Sequence, residues 1–241
     1  MNSIKAAGRL GCIISNVKSG GIVADIGCDH AFTSICLVER GFAKGAIAMD
    51  INKEPLKRAG QHIKNAGLSH CIITRLSDGA KELTEGEADT ILISGMGGAL
   101  VTKILEESIS VTKSAKELVL SPQSEIYLVR HFLHGNGFKI VHEDMVKEHG
   151  KFYVVIRALP GKEEYQDETG YIYGEYLINN QNPVLGEFLL KERKRIKSVL
   201  DGFQHQRNNK SAAQEERKST LLKEYNMING ILYKIRKDGA L

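Results

Sequence analysis

Apolar and polar positions along this chain fall into blocks whose period switches repeatedly between helix and strand. Residues Ile4 to Val17 are apolar at helical spacing and end at Lys18-Ser19-Gly20-Gly21. The short apolar run Ile22 to Ile26 stops at Gly27 and predicts a buried strand, and helical patterning follows from Ala31 to Arg40. The pairing then repeats. Strands are predicted at 45–49, 71–75, 89–94 and 117–121, with helices over Lys53–Ala66, Leu100–Glu107 and Glu125–His134. This βαβα alternation predicts a parallel sheet covered by helices on both faces. The end of the series differs. Phe138–Lys147 and Lys151–Leu159 are strand-like runs joined at Glu148-His149-Gly150, and the second is too rich in β-branched and aromatic residues for a crossover helix. An antiparallel hairpin is therefore expected to close the sheet, where a dinucleotide-binding fold would add a parallel sixth strand.

After Pro160 the character changes. Residues 161–182 are polar and carry Tyr165, Tyr171, Tyr173 and Tyr176, expected as hinge and packing residues. Leu185, Leu189, Ile196, Val199 and Phe203 then recur at spacings of three and four, with Glu192 in one seam slot. Leu221, Tyr225, Ile228, Leu232 and Ile235 follow the same rule, and polar residues Gln204 to Ala212 separate the two sets. The pattern predicts two amphipathic helices folded back as an antiparallel coiled-coil hairpin. Domains are accordingly expected at 1–160 and 161–241.

Composition narrows the reading. The 241 residues are 42% hydrophobic and 26% charged, which excludes wholesale disorder. No run reaches the roughly 20 apolar residues that a membrane span needs. Lys5 and Arg9 have no secretory core before them, so a cytoplasmic location is expected. Cys12, Cys28, Cys36 and Cys71 show no metal-like spacing, and reduced thiols with no metal are expected. Residues 186–237 hold 13 Lys/Arg against 6 Asp/Glu, so +7 of the total +4 lies there and −3 in the rest. A mildly acidic body with a basic tail suggests a polyanionic partner, although exposed helices are often basic for solubility alone.

Candidate chemistry gathers where predicted strands end. Asp25-Ile26-Gly27-Cys28-Asp29-His30 sits at the first strand-to-helix turn, where a glycine permits close backbone approach and a helix start offers N–H donors. One glycine followed by Asp29 suits a cationic ligand better than a pyrophosphate. Asp50, in Asp50-Ile51-Asn52, lies 23 positions past Gly27, where an acid can accept ribose hydroxyls; a helix cap is the alternative. Ser77-Asp78-Gly79 follows the third strand and could reach an adenine amino group, or form a plain turn. Ser94-Gly95-Met96-Gly97-Gly98 follows the fourth with no charged group. Its glycines fit a tight turn equally well, but the missing acid or amide argues against attack by an exocyclic amine and for a ring nitrogen.

Taken together, Asp25-Ile-Gly-Cys-Asp-His30, Asp50-Ile-Asn52, Arg75-Leu-Ser-Asp-Gly79 and Gly95-Met-Gly-Gly98 resemble the bacterial tRNA adenine-22 N1-methyltransferase family (TrmK type). Ser121-Pro122-Gln123 resembles that family's Gln-Pro-Asn, with two conservative departures, and Lys151-Phe152-Tyr153 is also similar. Cys28 stands where a small hydroxyl residue is frequent. The likeness spans the whole chain. It implies an α/β, Rossmann-like class I methyltransferase sheet, parallel with a terminal hairpin, and a helical domain that binds tRNA. It implies methyl transfer from S-adenosylmethionine to N1 of adenosine 22 in tRNA.

On that resemblance, Asp25, Gly27, Cys28, Asp29, His30, Asp50, Ile51, Asn52, Asp78, Gly79, Gly95 and Met96 are expected to hold the cofactor. Arg9, Gly97, Gly98, Pro122, Lys194, Arg195 and Lys197 are expected on the substrate side. Asp29 would stabilise the cationic methylated ring or fix the methionine ammonium, and His30 would orient Asp29, touch substrate, or simply cap or pack. Rival readings are a methyltransferase for another RNA, a protein or a small molecule, an NAD oxidoreductase, and a non-catalytic RNA-binding module. The absent second and third glycines disfavour the oxidoreductase.

Overall fold

The computed structural model describes residues 8–205 and 212–237. The predicted helical residues 4–7 and the centre of the polar break after the first long helix lie outside the described residues. The chain forms two compact units that divide at Ile172 and Tyr173.

The first unit contains α1 (Gly8–Asn16), β1 (Ile22–Ile26), α2 (Phe32–Glu39), β2 (Gly45–Asp50), α3 (Lys53–Asn65), β3 (Ile72–Leu76), β4 (Thr90–Ser94) and α4 (Gly98–Glu107). It continues with α5 (Ile109–Ser114), β5 (Glu117–Ser121), α6 (Ile126–Gly135), β6 (Phe138–Glu148) and β7 (Lys151–Pro160). The sheet order is β3-β2-β1-β4-β5-β7-β6. The first five strands are parallel, and β7 pairs antiparallel with both β5 and β6, so the closing hairpin is present. Registry places the carboxyl ends side by side: Ile26 lies opposite Met49 and Ile93, Asp50 opposite Leu76, and Ser94 opposite Ser121. One edge of the sheet thus presents four loops together.

Burial explains which strands were legible. In β1 and β4, Val23, Ala24, Ile91, Leu92 and Ile93 are fully buried, each large side chain contributing about 1.5–3 kcal/mol. The edge strand β3 leaves Ile73 and Leu76 half exposed and runs one residue later than its pattern predicts. The short helix α5 lacks a readable period; buried Thr112 anchors it by donating to the Leu105 carbonyl at 3.0 Å. At the amino end of β5, Glu117 accepts the Lys18 and Ser19 N–H groups at 2.9 and 2.8 Å and Arg157 Nε at 2.8 Å. Burial opposes ionisation there, but these donors hold the carboxyl below its usual range.

The first unit runs past Pro160 because residues 161–172 pack onto α6. Arg130 Nη1 donates to the Tyr171 and Ile172 carbonyls at 2.7 and 3.1 Å, and its Nε meets buried Glu143 at 2.8 Å. Tyr165 and Tyr171 are buried, as expected of packing residues. The helix α7 (Glu168–Tyr173) spans the division between units.

The second unit comprises α8 (Glu175–Asn179), α9 (Pro183–His205) and α10 (Ala212–Lys237). Asn182 Oδ1 accepts the Val184 and Leu185 N–H groups at 3.0 and 3.1 Å, so Asn182 caps α9 with Pro183 at its first position. The helices α9 and α10 pack on one another as a hairpin. Leu185, Leu189, Ile196 and Leu200 are buried on α9, while Ile228, Ile231, Leu232 and Ile235 are buried on α10. Val199, Phe203, Leu221 and Tyr225 from the predicted seam are only partly covered. No described helix is long and apolar enough to cross a membrane.

Candidate active site

Strand order reverses between β1 and β4, and the helices that follow these two strands leave a crevice outside their carboxyl ends. A cavity of about 330 Å³ lies there. Ile26 and Gly27 line it from β1, Asp50, Ile51 and Asn52 from β2, and Ser77, Asp78 and Gly79 from β3. Ser94, Gly95 and Met96 line it from β4, with Leu100 and Ile104 from α4. Ser77, Ser94, Leu100 and Ile104 were not singled out from sequence, although Leu100 and Ile104 stand one helical turn apart on the same face.

The first loop is tightly wound. Gly27, Asp29 and Ala31 all have positive φ, at 74°, 48° and 57°. A Cβ at Gly27 would stand 2.2 Å from Met96 Cε, so glycine lets the fourth loop close over the first. The Gly27 and Cys28 N–H groups both donate to the Met49 carbonyl, at 2.8 and 2.9 Å. They tie β1 to β2 ahead of the start of α2 at Phe32, so the donors of the helix start are a separate set. Cys28 is buried, and burial pushes its thiol well above the ordinary range, so it packs as a small apolar residue.

Asp25 requires a correction. It was expected among the acids facing the cavity, yet it is buried and absent from the lining. Its Oδ2 accepts Ser34 Oγ at 2.7 Å. Burial pushes its carboxyl up to about 6, with the Ser34 hydrogen bonds opposing. The packing of α2 across β1 decides this direction, and strand-end position alone cannot reveal it. Asp29 and His30 also lie outside the lining. The Asp29 side chain is exposed, and its Oδ2 is 3.5 Å from His30 Nε2. His30 packs with Phe32 and His62 in a ring cluster, and its carbonyl lies 3.1 Å from His62 Nδ1.

Asp50 and Asp78 do face the cavity. Asp50 Oδ1 accepts the Asn52 N–H at 2.9 Å, and the Asn52 side chain makes no cap on α3. Asp78 is ion-paired with Lys81, which also meets Glu107 at 3.1 Å. The hydrogen bond from Lys81 holds the Asp78 carboxyl below its usual range. In the fourth loop, Gly95 has φ 87° and its N–H donates to the Ser121 carbonyl at 3.2 Å. Gly98 is instead a packing residue: a Cβ there would meet the Glu125 and Ser124 carbonyl oxygens at 2.3 and 2.7 Å. A Cβ on Gly97 would meet a side chain instead, the Ser124 hydroxyl at 3.0 Å, and Pro122 is buried.

The lining combines two carboxylates, two serines and an apolar surface from Ile51, Met96, Leu100 and Ile104, with no Lys or Arg among the described residues. Such a donor set fits a cationic nucleoside with free hydroxyls and disfavours a pyrophosphate. Among the described residues no cluster of His, Cys, Asp and Glu is arranged to hold a metal ion. Of the helical residues expected on the substrate side, Lys194, Arg195 and Lys197 are exposed on α9. Arg195 is engaged, with Nε 2.7 Å from Glu192 and Nη2 3.9 Å from Glu224.

A parallel sheet closed by an antiparallel hairpin, with an acid-bearing cavity at the strand-order switch, defines a Rossmann-like class I methyltransferase fold. The family model for the Methyltransferase domain matches residues 6–156. The Bacillus subtilis (strain 168) tRNA (adenine(22)-N(1))-methyltransferase is 31% identical over 206 residues, covering 83% of this chain and 87% of that protein. The crystal structure of the B. subtilis M1A22 tRNA methyltransferase TrmK superposes with a TM-score of 0.83 at 26% identity, over 94% of this chain and 98% of that one. The candidate tRNA (m1A22) methyltransferase Sp1610 of Streptococcus pneumoniae, in complex with S-adenosyl-L-methionine, gives 0.82 at 30% identity, over 93% and 98%. The chain belongs to the tRNA (adenine-22-N1)-methyltransferase family.

Proposed function

We propose that this protein transfers a methyl group from S-adenosylmethionine to N1 of adenosine 22 in tRNA. The observation that carries the reading is the cavity at the β1/β4 switch, where Asp50 and Asp78 face an apolar shelf with no Lys or Arg among the described lining residues. When bound, the cofactor supplies an electrophilic methyl on a sulfonium. Asp50 is suited to accept the two ribose hydroxyls, since its Oδ1 already organises the turn through Asn52. Ile51, Leu100 and Ile104 offer apolar surface to the adenine faces, and Asp78 lies within the same wall for the amino group. Asp29, exposed in the loop that follows Gly27, serves either the methionine ammonium or the charge that develops on the methylated ring.

In-line transfer to a ring nitrogen needs alignment and exclusion of water more than proton removal, which matches a Ser94–Gly98 loop without an acid. The target base must be turned out of its stack to reach that loop. The second unit, from Tyr173 onward, forms the tRNA-binding part and the first unit the methyltransferase domain, acting in the cytoplasm. Lys194 and Lys197, exposed on α9, give phosphate contacts that position the substrate without reading bases. The test maps the methylated nucleotide by mass spectrometry after incubating a tRNA mixture with the wild type and with Asp29→Ala. Methyl at N1 of adenosine 22 with the wild type, and a large loss of turnover with the variant, are expected. Methylation of a different nucleotide, or of protein alone, overturns the reading.

A further inference from the structure

Arg9 stands in the first turn of α1, with its guanidinium 4.9 Å over the Tyr153 ring of β7. Its backbone N–H donates to Glu148 Oε1 at 3.3 Å, so this nearby carboxylate serves the helix start. Nε and Nη2 of Arg9 are both buried, and neither has a hydrogen-bond partner among the described residues. These nitrogens form the side-on edge of the guanidinium, whose two N–H bonds run parallel and match the oxygens of a phosphate or carboxylate. A buried cationic edge without an acceptor is costly, and native proteins seldom keep one without a use. Ser121 Oγ, at the end of β5, is likewise buried without a partner.

The surroundings indicate what the edge is for. A Cβ built on Gly95 would lie 3.7 Å from Arg9 Nη2 and 3.8 Å from Gln123 Nε2, so guanidinium and amide flank the exposed backbone of the fourth loop. Gly95 itself lines the cofactor cavity, whereas Arg9, Gln123 and Tyr153 do not. They stand on the β5 and β7 side of that glycine, where an incoming acceptor would lie.

We infer that the Nε/Nη2 edge of Arg9 holds a tRNA phosphate beside the base being methylated, through two parallel N–H···O bonds. The inference rests on the tRNA reading above. An arginine guanidinium stays protonated in proteins, so the edge is a donor.

Arg9→Gln removes the charge, and Arg9→Lys keeps the charge but loses the paired edge. For both variants and the wild type, calorimetry gives the affinity for S-adenosylhomocysteine, and filter binding gives the affinity for tRNA across a salt series. Arg9→Gln is expected to weaken tRNA binding about tenfold and to lower the slope of log affinity on log salt by about one. Arg9→Lys is expected to keep that slope and raise KM for tRNA by roughly three- to tenfold. Affinity for S-adenosylhomocysteine should stay within about twofold of wild type, which also reports that the variants fold. If Arg9→Gln does not fold, Arg9→Lys decides. Unchanged tRNA affinity and slope overturn the inference, as does a loss of S-adenosylhomocysteine affinity exceeding the loss for tRNA, because the edge would then serve the cofactor's carboxylate. A wild type that methylates no tRNA fails the functional reading itself and needs no variant to show it.

Discussion

Asp25→Asn isolates a carboxylate that the fold buries without a cation. Asp25 is covered by the structure, and Ser34 Oγ donates to its Oδ2 at 2.7 Å. Burial raises its carboxyl from 3.8 to about 6, against the Ser34 hydrogen bonds. Between these values the native state holds a proton that the unfolded chain releases, so this group's contribution to stability falls as pH rises through the window. Two pKa units at about 1.4 kcal/mol each put the loss near 3 kcal/mol above pH 6. Asparagine keeps an oxygen for Ser34 and carries no charge. The variant should match the wild type near pH 4 and become the more stable of the two as pH approaches 7. For a unit of this size that corresponds to about 6–12 °C in Tm. Thermal unfolding of both proteins without cofactor, at half-unit steps from pH 4 to 8, measures it. A difference that is flat across pH, or a wild type more stable at pH 7, would falsify the burial argument.

Asp50→Asn keeps Oδ1 for the Asn52 turn but removes the charge; losing about 1.5–3 kcal/mol of charge-assisted hydrogen bonding should weaken S-adenosylhomocysteine binding roughly 10- to 150-fold by calorimetry, and a change below about threefold refutes the ribose role. Gly98→Ala pushes a methyl against two backbone carbonyls that cannot turn aside, and should cost about 1–3 kcal/mol in urea unfolding. Gly60→Ala in α3 meets open space and should gain about 0.5–1 kcal/mol; equal effects at both glycines would discredit the close-approach account. Lys194→Gln with Lys197→Gln should flatten the salt dependence of tRNA binding by a slope of about one to two, whereas Arg195→Gln should do less because Glu192 and Glu224 already engage that side chain. An unaltered slope removes α9 from the tRNA surface.

Much of the fold was legible because glycines and acids punctuate fully apolar runs. Ile22–Ile26 and Thr90–Ser94 are buried on both faces, so hydrophobicity alone marks them, and the aromatic, β-branched run from Lys151 marks the closing hairpin. Legibility falls where one side of an element meets solvent or where an element is a single turn. The edge strand β3 shifted by one residue, and α5, α7 and α8 left no period to read. The sequence pattern assigns residues 161–172 to the helical domain, yet they belong with the first unit because Arg130, a residue distant in sequence, donates to their backbone.

For the site the division is equally physical. Local sequence set which residues stand at the strand ends, since the turn from strand to helix demands Gly27, Gly79 or Gly95 at positive φ beside an acid or a small residue. Only tertiary packing chose where those side chains point. It turned Asp25 under α2, left Asp50 and Asp78 in the cavity, exposed Asp29 beside His30 and carried Arg9 across to Tyr153 and Gly95. A strand's period fixes alternation, but the face that becomes a cavity depends on which helix covers it, and that contact is made by residues far away in the chain.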